Sequence, residues 1–498
     1  MINSHLPVLQ VLLPLIAAPL CVILRQSVLS WLFATLICFL SFIISCVLFN
    51  QVLESGVISY ALGGWLSPWG IEYRLDKLTA FMLLIINGVA AIVLLGARES
   101  IADEISSDRL YLFYTAFLLN LTGVLGVIMT GDAFNLFVFI EIASLSSYAM
   151  ISIGNDRRCL YAAFKYLIFG TIGASFILIS VGLLYAVTGT LNMVDIFQRL
   201  PDVENTKTLT TALVFFVVGI GIKAAIFPLH LWLPDAYSYS PSIVSTFLAG
   251  TTTKVFVYVL IRFIYSVFGY ETVFVQEAMS HVLMILACAG ILYGSYLAIQ
   301  QDSLKRLLAY SSVAQLGYML LGISLATEAG LAAGLIHVFN HAIIKVALFL
   351  SVIIIIFYTK TDSISKLAGL AKTMPLLMLS FLIGGLSLIG VPLTAGFVSK
   401  WFLIKASFEN GYWGLVVVIV FSSVLAIIYI WKFIEVAYFK EPDKVVIAID
   451  GNQKTPYLLL FSLFVFVIAN VYFGLDSSLN VDMANAIAQD FYLDFVVQ

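Results

Sequence analysis

Charge is what this chain has least of. Of its 498 residues only 11% are Asp, Glu, Lys or Arg, while 62% are hydrophobic. A soluble domain carries about 25% charged residues, so no soluble fold of this length could cover its surface with so few. Cysteine is scarce as well. Cys21, Cys38, Cys46, Cys159 and Cys288 lie in or beside apolar runs, without CxxC or zinc-type spacing. Nucleotide-binding glycine loops and haem motifs are missing too, so no cofactor and no metal site is expected. The net charge of −3 is too small and too diffuse to indicate nucleic acid. The opening MINSHLPVLQ has no Lys or Arg before the first apolar run. That argues against a cleaved leader, and the first helix is expected to be retained. What remains is hydrophobicity in unbroken runs of about 20 residues, not the weak alternation of a membrane barrel. The expectation is an all-α, multi-pass protein embedded in a lipid bilayer.

About 14 runs are long enough to span. They lie near 6–24, 27–49, 76–97, 109–129, 133–153, 160–187, 208–229, 243–268, 278–299, 304–326, 330–358, 374–405, 412–438 and 456–474. The runs at 330–358 and 374–405 exceed what a bilayer needs, so they are expected to tilt or to break. Basic residues alternate between the connections. Arg25, Arg98, Arg109, Arg157, Arg158, Lys305, Arg306, Lys360, Lys366, Lys372, Lys440, Lys444 and Lys454 fall in one set. Only Arg74, Arg199 and Lys207 fall in the other. Basic connections stay cytoplasmic, which puts both termini on the outer side of a bacterial cell membrane. The outer connections also carry Glu54, Glu72, Asp195, Asp202, Glu204, Glu271 and Glu277. The tail from Asp476 to Gln498 is expected to lie along the outer surface. No long polar stretch divides the chain, so residues 1–498 read as one membrane domain. Within it, 1–107 holds three N-terminal helices and 441–498 the last helix and tail.

Against this apolar background, ionisable residues stand out. Each costs at least about 2.5–3.5 kcal/mol at the bilayer centre and is a functional candidate by default. Glu141, Lys223, Lys254, His337, His341, Lys345 and Lys400 lie well inside spans. Lys165, His230, Asp235, Arg262, Lys405, Lys432 and Glu435 lie nearer the ends, where snorkelling or structural pairing is the competing explanation. Of these, Lys165 and His230 are the secondary candidates. A buried Glu141 beside a lysine can exchange a proton against its pairing state, because burial and a neighbouring cation push its affinity in opposite directions. Pro228 interrupts GIGIKAAIFPLHLWLPDAY between Lys223 and His230. Gly390, Pro392 and Gly396 interrupt LSLIGVPLTAGFVSK just before Lys400. Membranes tolerate such breaks only where they face protein or a water-filled cavity. Interruptions in the seventh and twelfth spans are five apart. That fits two inverted five-helix repeats, spans 4–8 in residues 108–270 and spans 9–13 in residues 275–440. His337, His341 and Lys345 recur at i, i+4 and i+8, one above the other at about 6 Å along a helix face. This spacing suits a proton wire better than a metal site, since the lysine would repel a cation. Lys254 follows Gly250 and three threonines in LAGTTTK, small and hydroxyl residues that permit close packing and hydration.

Together these segments resemble the antiporter-like subunits shared by respiratory complex I, membrane-bound hydrogenases and Mrp-type multisubunit cation/proton antiporters. The likeness covers nearly the whole chain. FPLHLWLPDAYSYSP and HVFNHAIIKVALFL carry it most specifically, while TGDAFNLFVFIE and GLLYAVTGTLNM are most similar to the D-type Mrp subunits. The long C-terminal extension of the largest family members is not expected here. The resemblance implies a 14-helix core working beside other membrane subunits. It also implies that Glu141, Lys223, Lys254, His337, His341, Lys345 and Lys400 form a hydrated line along the membrane plane. The implied activity is proton movement coupled to Na⁺ or K⁺. The alternatives it carries are a pump module of a redox complex and a partner in inorganic-carbon uptake.

Overall fold

The computed structural model describes residues 2–274, 278–447 and 456–493. Glu277 and Lys454, counted among the connections above, lie outside the described residues. The described chain is helical apart from connections and one small hairpin. In order, the main helices are α1 (Leu6–Leu24), α2 (Ser27–Ser55), α3 (Lys77–Glu104), α4 (Leu110–Met129), α5 (Ala133–Ser152) and α6 (Arg158–Thr188). The seventh span is α7 (Thr206–Lys223) followed by the short α8 (Leu233–Tyr239), and the eighth is α9 (Ser242–Gly250) with α10 (Thr252–Ser266). Then come α11 (Ala278–Gln300), α12 (Leu304–Ser324), α13 (Glu328–Thr359), α14 (Pro375–Ile389), α15 (Ala395–Glu409), α16 (Trp413–Phe439), α17 (Tyr457–Leu475) and α18 (Ser478–Leu493). Thirteen spans among the described residues are long and apolar enough to cross a membrane. The interrupted pair α14–α15 provides the remaining crossing, as the 14-span reading requires. Of the two overlong runs, α13 is continuous, whereas 374–405 is broken.

Local chemistry starts many of these helices. Asp76 and Asp132 accept from the backbone N–H groups of Thr79 and Asn135, capping α3 and α5 at 2.9 and 2.7 Å. Ser303 and Thr327 do the same for α12 and α13. Between helices, packing relies on small residues, since lipid gives apolar surfaces no reason to leave it. A Cβ on Gly219 of α7 would meet the Gly173 carbonyl of α6 at 2.7 Å, and one on Gly322 of α12 would meet Gly334 of α13 at the same distance. Larger residues would force these pairs apart.

Burial separates a sheathed centre from a lipid-facing rim. The apolar windows of Ser242–Ser266 and Leu304–Ser324 are 94% buried, while that of Trp413–Phe439 is 33% buried. Helices α9, α10, α12 and α13 are therefore the centre, and they carry most of the buried ionisable residues. A two-stranded antiparallel hairpin, β1 (Ile58–Ala61) with β2 (Glu72–Leu75), closes the connection between α2 and α3. Of the tail expected along the outer surface, residues 478–493 form α18, and 494–498 lie outside the described residues. Met483, Ala484, Ile487 and Ala488 form a buried stripe at helical spacing that packs the helix against α13 and α3. Asn480, fully buried, donates to Asn340 Oδ1 at 2.9 Å in the middle of α13.

Candidate functional site

The seventh span ends its first half at Lys223. Ala225 takes a left-handed conformation (φ 56°), and the chain turns through residues 224–232 before α8 begins. Backbone N–H groups of this turn take up the last carbonyls of α7, those of Ile220, Gly221 and Ile222. One of them, Ile222, accepts from the Trp232 indole at 2.8 Å. Lys223 is fully buried. It donates to Glu141 Oε1 at 3.2 Å and to Ser144 Oγ at 2.6 Å, both on α5. Glu141 and Ser144 are three residues apart, so α5 presents them on one face.

The eighth span breaks without a proline. At Thr251 (φ −122°, ψ −70°) α9 gives way to α10, and Lys254 folds back to donate to the freed carbonyl of Ala249. On α13, His337, His341 and Lys345 are all buried. The two imidazoles lie 5.9 Å apart and nearly parallel. His337 Nδ1 bonds Ser399 Oγ at 2.9 Å. Among the described residues, His337 Nε2 and both nitrogens of His341 have no hydrogen-bond partner. Buried polar atoms of that kind call for water. Lys345 donates to Leu308 O at 2.8 Å and Ser311 Oγ at 2.5 Å, both on α12.

In the twelfth span, α14 ends at Gly390 in a left-handed conformation and α15 begins after Thr394. Lys400 reaches back across this break to the terminal carbonyls of α14, Leu388 at 3.2 Å and Ile389 at 2.7 Å, and to Ser423 Oγ at 2.9 Å. Its ammonium also lies 5.1 Å from the centre of the Tyr318 ring, which is itself 5.4 Å from His337. Tyr318 thus stands between the histidine row and Lys400. It was missed from the sequence, as were Ser144, Ser311, Ser399 and Ser423. A hydroxyl in a membrane helix gives no signal until the lysine it meets is known.

The secondary candidates lie differently. Lys165 pairs with Asp235 at 2.6 Å, and Arg306 approaches the same carboxylate at 3.5 Å. This trio ties α6, α8 and α12 together. His230 is buried in the turn after α7, its ring against Phe227 and Tyr293 at 5.5 Å from each. Three others near span ends also have partners. Arg262 pairs with Asp76, Lys405 with Glu409, and Lys432 with the carbonyls of Ile299 and Gln301.

The sequence and fold have clear counterparts. The family described as NADH:quinone oxidoreductase/Mrp antiporter, TM, matches residues 130–426. The N subunit of the NADH-quinone oxidoreductase of Desulforudis audaxviator is 42% identical over 458 residues, covering 88% of this chain and 87% of that protein. The D subunit of the Na(+)/H(+) antiporter of Bacillus subtilis is 30% identical over 474 residues, covering 95% and 94%. Among solved structures, a chain of the membrane-bound sulfane sulfur reductase, an archaeal respiratory membrane complex, superposes with TM-score 0.89. It is 30% identical and covered, like this chain, over 98% of its length. Broken helices in corresponding places, a lysine at each break and the match across the central spans agree: the chain belongs to the transmembrane subunit family shared by NADH:quinone oxidoreductases and Mrp antiporters.

Proposed function

We propose that this protein is the proton-translocating, D-type subunit of a multisubunit Na⁺ or K⁺/proton antiporter of the bacterial cell membrane, with both termini outside. The observation that carries the reading is the series of buried basic groups that starts at the Glu141–Lys223 pair and continues through Lys254 and the His337–His341–Lys345 row to Lys400. A proton arriving at Glu141 removes the counter-charge of Lys223. Lysine deprotonates readily when buried and its charge is uncompensated, so the proton advances, by waters, to the next neutral group. Each transfer alters the field at its neighbour. The halves 108–270 and 275–440 are read as the two inverted repeats, with the broken seventh and twelfth spans and their lysines in corresponding places. Lys165 and His230 are secondary positions beside the first break. Other membrane subunits supply the rest of the complex, including the path of the metal cation.

A second reading follows from the 42% identity to a protein named as an NADH-quinone oxidoreductase subunit. The same line of groups would then be driven by electron transfer in a partner. Reconstituting the complete complex in vesicles separates the two. Proton flux that follows an imposed Na⁺ or K⁺ gradient without a redox substrate supports antiport. Flux that needs electron transfer and ignores both cations supports the pump.

A further inference from the structure

His337 and His341 lie one turn apart on the same face of α13, yet only the first is held at a ring nitrogen. Ser399 of α15 bonds His337 Nδ1 at 2.9 Å. His341 is fully buried, and neither of its nitrogens has a partner among the described residues. A neutral imidazole has one donor and one acceptor nitrogen, and the hydrogen bond made at one decides which of them carries the proton. A ring held at neither nitrogen populates both tautomers. A proton carrier in a fixed row of groups needs one.

What faces His341 follows from the register of α12 against α13, two antiparallel helices joined through residues 325–327. Near the joint, a Cβ on Gly322 would meet Gly334 at 2.7 Å. Further along, the Tyr318 ring lies 5.4 Å from that of His337. Beyond that, Ser311 accepts from Lys345. Residues 311, 315, 318 and 322 share one face of α12, and residues 334, 337, 341 and 345 share one face of α13. Gln315 therefore stands opposite His341, between the Tyr318–His337 and Ser311–Lys345 pairs. The other side of α12 is occupied by α11. A Cβ on Gly294 would lie 2.7 Å from Ala314, and one on Gly317 2.8 Å from Ala287. Gln315 is only 2% exposed, and its carboxamide bonds no group among the described residues. Packed helices lie about 8–10 Å apart, a gap that a glutamine and a histidine close directly or through one water.

We propose that Gln315 is the positioning residue of His341. Its carboxamide hydrogen-bonds one ring nitrogen, directly or through one water, fixes the tautomer, and so sets which nitrogen is free to take up a proton. A carboxamide both donates and accepts but has no proton of its own to trade in this range, so Gln315 holds the ring without competing for its proton. It does for His341 what Ser399 does for His337. The proposal rests on the reading of the histidine row as proton carriers.

The test uses the complete complex in lipid vesicles, with isotope-labelled histidine read by nitrogen solid-state NMR. The signal lost in His341→Gln assigns the ring. Ring nitrogens with and without hydrogen resonate far apart, so the tautomer is read directly. We expect a single His341 tautomer in the wild type. Gln315→Met, close in shape but without the amide, should show both tautomers and lower proton flux about two- to tenfold, the worth of one hydrogen bond. Gln315→Asn, which keeps the amide one methylene back, should restore the single tautomer and part of the flux. The His337 signal, tied to Ser399, should not move in either variant. Mixed tautomers in the wild type overturn the proposal. So does a His341 signal that is the same in Gln315→Met, whatever happens to the flux. If His341→Gln keeps full flux, the reading of the row as proton carriers fails instead, and the His341 signal still decides whether Gln315 holds the ring.

Discussion

The breaks in the seventh and twelfth spans solve one electrostatic problem in different ways. At the first break the lysine is the last residue of the half-helix, and its charge is met by a carboxylate, Glu141, on a neighbouring helix. At the second break the lysine comes from the following half-helix. It reaches back to the carbonyl end of α14, a serine and an aromatic face, with no carboxylate within pairing distance among the described residues. A helix C-terminus offers roughly half a negative charge, which steadies an ammonium without fixing it. The first lysine is thus held by a group that can itself be protonated, the second by dipoles that cannot. Loading at one end is switchable, and at the other it depends on the charge of what lies upstream. This difference is open to attack from several sides.

The largest effect is expected at the switchable end. Glu141→Ala takes the counter-charge from the fully buried Lys223 and leaves it only the Ser144 hydroxyl. Ion flux in vesicles should be abolished at normal subunit level. Glu141→Asp should recover part of it. Full flux in the Ala variant would take Glu141 out of the pathway.

Next in size is Lys400, where two substitutions sharpen the contrast. If it alternates between charged and neutral forms, Lys400→Arg must fail as badly as Lys400→Ala, because guanidinium does not deprotonate in proteins. Near-normal flux in the Arg variant beside a dead Ala variant would mean that the α14 carbonyls hold a permanent cation. A gentler probe is Ser423→Ala. It deletes one of three acceptors around Lys400, so a loss of only about 0.5–1.5 kcal/mol, seen as a few-fold drop in rate, is anticipated. The smallest change is expected at Lys165→Met. Its partner Asp235 retains Arg306, so the complex should keep most of its flux and lose some thermal stability in detergent. Loss of transport there, with stability intact, would move Lys165 into the pathway.

Much of this arrangement was legible in the sequence because membranes make charge conspicuous. Lys223, Lys254 and Lys400 were visible as ions in apolar runs, and Pro228 and the Gly390–Pro392 pair marked two breaks. The third, at Thr251, escaped because no proline announces it; only the structure shows Lys254 folding back onto the freed Ala249 carbonyl. The hydroxyl partners escaped because serine at a helix interface looks the same whether it packs or donates. Arg262 was visible and read as snorkelling or structurally paired, and a pair is what the structure holds. Its partner, Asp76, lies 186 positions away. The stripe of Met483, Ala484, Ile487 and Ala488 in the tail was likewise present, masked by the aspartates that flank it, Asp482 and Asp490.

That tail has a bearing on biogenesis. Asn340 sits one residue before His341 and donates to the Ala395 carbonyl at the start of α15, while accepting from Asn480. The amide chain therefore joins the middle of α13, the second break and α18, which leaves the ribosome after both. Until α18 docks, the Asn340 side-chain oxygen lacks this donor. Insertion of the spans and maturation of their interior are then separate events. Truncating the chain before Ser478 should leave a protein that reaches the bilayer at ordinary abundance yet is cleared faster by membrane quality-control proteases, as a pulse-chase would reveal.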